Sequence, residues 1–322
     1  MRSTKSANPT SQNSRAGLDD RSSLCNVMMK RSRVGIWIQA SRPKTLWAAI
    51  APVIMGTALA IADGKAHPLA AVACLLGAIA IQIGTNFAND YYDFARGTDT
   101  VERLGPTRVT QAGLVTPRSM KLAIAIAFGL AFMVGCYLVW RGGWPLVVIG
   151  LLSILCGILY TAGPYPLAYN GLGELFVLLF FGPVAVGGTF YVQALTVHSS
   201  VILAGLTPGL LSVAILIVNN LRDIDQDRVG LKRTLAVRFG RTFSRIEYLL
   251  SLVFAVLIPA VMAITGYLPK FTLLTLAILP LAMPVLRNVF TKSDGPSLNN
   301  CLAATGKLLL AFSILFSVGQ LV

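Results

Sequence analysis

The sequence predicts an all-α polytopic membrane protein, a bundle of about nine transmembrane helices with its N-terminus in the cytoplasm. Three observations predict it. Of 322 residues, 55% are hydrophobic and only 12% charged, with a mean hydropathy of +0.70; soluble domains carry about 25% charged residues. Apolar stretches of about 20 residues, the length that crosses a bilayer, recur along the chain. Basic residues fall in alternate connections between those stretches. With 29 Gly and 16 Pro, neither far from ordinary usage, low complexity does not explain the apolar bias. A water-soluble globule, a disordered chain and a coiled coil are excluded.

Taken in order, the expected spans are 45–62, 67–89, 119–140, 144–162, 172–192, 201–220, 246–265, 271–290 and 301–321. Several contain proline (Pro52, Pro183, Pro208, Pro259, Pro280, Pro284), which membrane helices tolerate because neighbouring groups satisfy the freed backbone. Residues 1–33 are rich in Ser, Arg and Asn, lack an apolar run and read as a disordered basic tail. A transit peptide shares that composition, but Asp19 and Asp20 count against it. The remainder, 34–322, reads as one transmembrane domain.

The basic residues orient the bundle. Residues 1–44 hold nine Lys/Arg, and the connections after the second, sixth and eighth spans hold five, seven and two. The alternate connections hold only Lys65, Arg141 and Lys270, and Lys307 lies inside the last span. Twenty-three against three puts the N-terminus in the cytoplasm and the C-terminus outside. The net charge of +14 is mostly this bias and asks for no nucleic acid. No protein partner is implied either.

The two histidines, His67 and His198, leave little room for a multi-His metal site. The five cysteines (Cys25, Cys74, Cys136, Cys156, Cys301) show no paired ligand spacing, and those inside apolar runs read as small hydrophobes.

The acids carry the chemistry. Of thirteen, seven fall in two short segments. The first runs Asn86-Phe-Ala-Asn89-Asp90-Tyr-Tyr-Asp93 and continues to Asp99 and Glu102; the second is Asn219-Asn220-Leu-Arg222-Asp223-Ile-Asp225-Gln-Asp227. In each, an Asn precedes an Asp by four residues and a further carboxylate follows three or four on, so each set shares a helix face. Both segments end an even-numbered span on the cytoplasmic side, which reads as an internal duplication with halves near 40–165 and 166–322. Acids that only solvate helix ends explain one or two such residues. A helix C-terminus disfavours negative charge, so carboxylates stacked at two of them call for a cation. Hard oxygen donors suit Mg²⁺, shared with a substrate's phosphates.

Lys44 and Arg42 before the first span, Arg108 after the first acidic segment, and Arg222, Lys232, Arg233 and Arg238 around the second crowd the same side. Metal-holding acids beside phosphate-holding cations make a diphosphate site, though each cation alone reads equally as an orientation signal. At the bilayer edge a polyprenyl diphosphate fits, its chain among the helices and its head group among the loops. The segment Tyr160-Thr-Ala-Gly-Pro-Tyr165-Pro carries two tyrosines and no charge. Their faces suit a carbocation, or they are interfacial belt residues.

On these segments the chain resembles the UbiA superfamily of intramembrane aromatic prenyltransferases. The carrying stretches are Ala40–Leu46, Asn86–Asp99, Gly105–Gly113, Tyr160–Leu167, Phe181–Thr189 and Asn219–Arg238. The Ser-Arg-Pro-Lys-Thr and Lys-Arg-Thr-Leu-Ala-Val blocks favour its naphthoate branch. The resemblance implies nine helices around a central cavity capped by cytoplasmic loops, with the site facing the cytoplasm of a bacterial inner membrane. It implies two Mg²⁺ ions, with Mn²⁺ able to substitute, one on Asn86, Asp90 and Asp93 and the other on Asp223 and Asp227. Lys44, Arg108, Tyr160, Asn219, Arg222, Lys232 and Arg233 are then the expected substrate contacts. Asp90 and Asp93 stand three apart where the superfamily commonly spaces its acids by four, which leaves the roles of Asp93 and Asp99 open.

The implied reaction moves a polyprenyl group from its diphosphate to 1,4-dihydroxy-2-naphthoate, with loss of diphosphate and CO₂, giving demethylmenaquinone. Two alternatives keep the chemistry and change a substrate: a 4-hydroxybenzoate or homogentisate acceptor, or a phytyl donor. An ion-coupled transporter, which intramembrane acids can also mark, needs groups through the whole thickness rather than at one side.

Overall fold

The structure is a computed structural model that describes residues 32–97, 105 and 108–322. The chain divides into two compact units, Met1–Gln39 and Ala40–Val322. Most of the expected tail lies outside the described residues, as do Asp99 and Glu102. Its last residue, Arg33, begins a helix, α1 (Arg33–Ser41), where no element was expected.

The second unit is a helical bundle. Its elements are α2 (Pro43–Ala62), α3 (Pro68–Ala95), α4 (Pro117–Gly142), α5 (Trp144–Leu159), α6 (Gly173–Leu179), α7 (Ala185–Ala194), α8 (Ser199–Arg222), α9 (Ile224–Val229), α10 (Leu235–Ile264), α11 (Ile278–Thr291) and α12 (Gly295–Leu321). Eight segments are long and apolar enough to cross a membrane, counting Gly173–Ala194 and Lys270–Thr291 as one span each. Helix α5, with 16 residues, is a shorter apolar ninth. The nine expected spans therefore each have a helical counterpart.

Helix starts are written in the sequence. Pro43, Pro68 and Pro117 open α2, α3 and α4, where a missing N–H costs nothing. Thr116 accepts from the Ser119 N–H, Thr234 from Val237 and Asp294 from Ser297, each satisfying a donor that the helix leaves orphaned. Two starts precede the apolar runs. Helix α10 begins at Leu235 and α12 at Gly295, not at 246 and 301. Apolar-run length reports only the part inside the bilayer, so polar helical turns beyond it go unseen. In α10 the change is marked by Gly240, at φ +85°, a conformation that favours glycine.

The span after α5 is broken at Gly182, where a short π-helical turn (Phe180–Val184) joins α6 to α7. The break lets Gly182 meet α8: a Cβ there would lie 2.8 Å from the Gly205 carbonyl and 3.2 Å from Gly209 Cα. Small residues allow backbones this close, as membrane helix contacts favour. The apolar core lies among α2, α7, α8, α10 and α12, around Met55, Phe190, Ile217, Tyr248 and Phe312. Helices α4 and α5 bury few side chains and expose Leu122, Ile126, Met133, Leu151 and Leu155, as lipid-facing helices do.

Candidate active site

One cavity of about 780 Å³ occupies the second unit. Its walls come from α2, α3, α4, α5, the α6–α7 span and α8, and they are mostly apolar, with Val53, Ile81, Leu146, Ile154 and Phe176 among them. Its polar end gathers both acidic segments: Asn86, Asn89 and Asp93 from α3, and Asn219, Asn220, Asp223 and Asp227 from α8 and α9. Segments more than a hundred residues apart thus meet around one space. Arg42, Arg108, Tyr160, Thr161 and Lys232 line the same cavity.

Asp93 is the most heavily served acid. It is 1% exposed. Tyr169 donates its hydroxyl to Oδ1 at 2.7 Å, Arg108 Nη2 donates to Oδ2 at 2.6 Å, and Lys232 Nζ lies 3.4 Å from the same oxygen. Lys232 also stands 3.8 Å from Asp227 Oδ1, so one ammonium bridges the acids of the two segments. Asn86 donates to the Ser41 carbonyl at 2.9 Å and to Thr45 Oγ1 at 3.3 Å, tying α3 to the start of α2. Asn89, which the sequence reading passed over, accepts from Thr161 Oγ1 at 2.8 Å. Asn220 donates to the buried Glu174 at 2.9 Å.

Several expected residues sit outside the cavity wall. Asp90 is buried but does not line the cavity; its two oxygens accept the backbone N–H groups of Val109 and Thr110 at 3.1 and 3.0 Å. The reason is angular. Asn86, Asn89 and Asp93 cluster on one helical stripe, and Asp90 stands about 70° round from its centre at 3.6 residues per turn. Its carboxylate anchors the loop that brings Arg108 to Asp93.

Arg222 is 2% exposed and also lies outside the cavity wall. Nε and Nη2 grip both oxygens of Asp223 at 2.7 and 2.6 Å, Nη2 also reaches Asn219 Oδ1 at 2.9 Å, and Nη1 reaches Asn299 Oδ1 at 2.6 Å. All of these partners lie within the second acidic segment or at Asn299. Asn299, near the start of α12, carries no signal in the sequence. Lys44 and Arg233 are exposed and outside the cavity, whereas Arg42 lines it. Pro43 opens α2, so Arg42 sits before the helix, at φ +52°, and projects differently from Lys44 inside the first turn. Asp225 is exposed and paired with Arg241 at 2.7 Å.

Tyr160 follows α5 and lines the cavity. It presents an aromatic ring with a hydroxyl to the same space as the acids.

Among the described residues, no three His, Cys, Asp or Glu side chains converge as a ready cage for a metal ion. The donor set nonetheless fits a hard cation. Its members are carboxylates and amide oxygens with no thiol or imidazole, and Mg²⁺ is usually held by one or two carboxylates plus substrate phosphates and water.

Residues 49–312 match the UbiA prenyltransferase family. The chain is 35% identical over 305 residues to 1,4-dihydroxy-2-naphthoate octaprenyltransferase of Haemophilus influenzae, covering 91% of this chain and 98% of the relative. It is 38% identical over 285 residues to the enzyme of that name in Mycobacterium tuberculosis, covering 86% and 94%. The fold superposes on a UbiA homologue from Archaeoglobus fulgidus bound to GPP and Mg²⁺, with a TM-score of 0.61 at 14% identity, covering 88% of this chain and 99% of that one. By the family match and these relatives, the chain belongs to the UbiA prenyltransferase family.

Proposed function

We propose that the protein transfers a polyprenyl group from polyprenyl diphosphate to 1,4-dihydroxy-2-naphthoate, releasing diphosphate and CO₂ and forming demethylmenaquinol, which a separate oxidation takes to demethylmenaquinone. The observation that carries this is the cavity itself: an apolar chamber whose one polar end collects the acids of both segments together with Arg108 and Lys232. A lipid diphosphate has the matching halves. The relatives named above supply the acceptor, since each is called a 1,4-dihydroxy-2-naphthoate octaprenyltransferase. We place the polar end on the cytoplasmic side of a bacterial inner membrane, as the distribution of basic residues supports.

The division of labour follows from the positions. Asp93, Asp223 and Asp227, with the amides of Asn86, Asn89 and Asn219, hold magnesium, as two ions in our reading. Bound magnesium supplies positive charge against the departing diphosphate, and Mn²⁺ can do the same. Arg108 and Lys232, already at the acids, turn their remaining donors to phosphate oxygens, and Arg's planar fork suits a diphosphate. When the C–O bond to the diphosphate breaks, both electrons leave with oxygen and an allylic cation remains. The apolar walls keep water from that cation, and the neutral ring of Tyr160 stabilises it through its face. The electron-rich naphthoate ring attacks, its carboxyl group leaves as CO₂, and a proton is released. No protein nucleophile takes part.

The test is a transfer assay in membranes with Mg²⁺, labelled polyprenyl or phytyl diphosphate, and each aromatic acid in turn. Label is expected in demethylmenaquinol, or in the quinone that air oxidation makes from it, only with the dihydroxynaphthoate and the polyprenyl donor, and chelator abolishes it. Transfer to 4-hydroxybenzoate or homogentisate with none to the dihydroxynaphthoate would refute the acceptor.

A further inference from the structure

Tyr169 touches Asp93 of the first acidic segment and the Lys232–Arg233 stretch that follows the second, from a position that the proposed chemistry does not use. It lies in a short 3₁₀ turn, Ala168–Asn170, between α5 and α6. Its hydroxyl donates to Asp93 Oδ1 at 2.7 Å. The Lys232 ammonium stands 4.8 Å from the ring centroid and the Arg96 guanidinium 5.0 Å. Its carbonyl accepts the Arg233 backbone N–H at 2.8 Å, so the backbone next to Lys232 is pinned to the same residue.

The turn that carries it is tied at both sides. The Leu167 and Ala168 N–H groups bond back to the Leu159 and Tyr160 carbonyls at 3.1 and 3.0 Å. Arg238 donates to the Asn170 carbonyl at 2.9 Å. Gly171 follows at φ +72°, where a Cβ would meet the Arg233 carbonyl at 3.0 Å, so only glycine lets the two segments lie this close.

We propose that Tyr169 is a positioning residue that sets Asp93 and Lys232 together for the diphosphate of the prenyl donor, and so couples the two halves of the site. The proposal rests on the donor reading above and deepens it. A hydroxyl bond to a carboxylate fixes which oxygen faces the cavity, and charge-assisted bonds of this kind are the strong ones. The ring holds Lys232 by its face without neutralising it, leaving an ammonium available to phosphate oxygens. The residue does not line the cavity, so it acts through Asp93 and Lys232 rather than on substrate.

The experiment compares Tyr169→Phe and Tyr169→Leu with the wild type in detergent, using an unreactive prenyl thiodiphosphate as probe in the presence of Mg²⁺. Losing only the hydroxyl is expected to weaken probe binding about tenfold. Losing the ring as well is expected to bring the loss to about a hundredfold. The acceptor's KM stays within twofold of wild type in Tyr169→Phe, and its melting temperature is unchanged. Wild-type binding in both variants overturns the proposal. So does a loss shared equally by probe and acceptor, which marks a merely structural residue. If Tyr169→Leu fails to fold, Tyr169→Phe decides. A wild-type protein that ignores the probe refutes the donor reading itself, whereas transfer to a different acceptor refutes only the acceptor and leaves Tyr169 in place.

Discussion

Replacing Arg222 with lysine preserves its charge and removes its shape, which makes it the sharpest test of how the second acidic segment is built. The side chain is 2% exposed and makes four bonds: two to Asp223, one to Asn219 and one to Asn299. A lysine ammonium on the same stem can keep about two of them. Each buried bond to a charged group contributes about 1.5–3 kcal/mol. Relaxation of the neighbours recovers part of the loss, and about 3 kcal/mol is expected to reach the site. At 1.36 kcal/mol per factor of ten, kcat/KM for the prenyl donor falls about 10²-fold. The acceptor's KM, measured at saturating donor, stays within threefold. Asn299→Leu, at a residue outside the cavity wall, removes the bond to Nη1 and lowers the same parameter about tenfold. A phosphate-binding Arg222 predicts a loss in Arg222→Lys as well, but with Asn299→Leu silent. Arg222→Lys within twofold of wild type, or a silent Asn299→Leu beside a crippled Arg222→Lys, would refute orientation of Asp223 by this network.

Asp93→Ala and Asp223→Ala are each expected to lower turnover at least 10³-fold, about 4 kcal/mol of barrier, while the protein still inserts; a tenth of wild-type turnover in either contradicts the site. Neutralising Lys232 with glutamine should raise the donor's KM about tenfold, whereas Lys44→Gln and Arg233→Gln, both outside the cavity, should leave it within twofold. A chain beginning at residue 34 is expected to transfer prenyl groups in membranes at wild-type rate; one that inserts but is inactive would place the tail within the site.

What the sequence made legible follows from how strongly the bilayer constrains it. Spans must be apolar for about 20 residues, so their number and order could be counted. Polar helical turns outside the bilayer are under no such rule, which is why α10 and α12 start before their apolar runs. The acidic segments stood out because seven of thirteen acids lie in two places. Which acids face the cavity was less accessible. Asn86, Asp90 and Asp93 share a broad helix face, and only the loop returning through Val109 and Thr110 decides that Asp90 anchors it from the flank.

The basic residues show the limit most sharply. Positive-inside counting treats every cytoplasmic Lys and Arg alike, yet these divide into three kinds of work. Lys44 and Arg233 are exposed and lie outside the cavity wall. Arg222 serves Asp223 from behind. Arg108 and Lys232 meet the acids inside the cavity. The distinguishing partners are Asn299, Tyr169 and the acids of the opposite half, all distant in sequence, so no local spacing encodes them. Two acidic helix ends repel unless something positive lies between them, and here Lys232 does so, 3.4 Å from Asp93 and 3.8 Å from Asp227. In the proposed chemistry the acids would hold magnesium, and this ammonium would meet phosphate oxygens of the donor. The charge that joins the two acidic segments is then the one placed to meet the diphosphate.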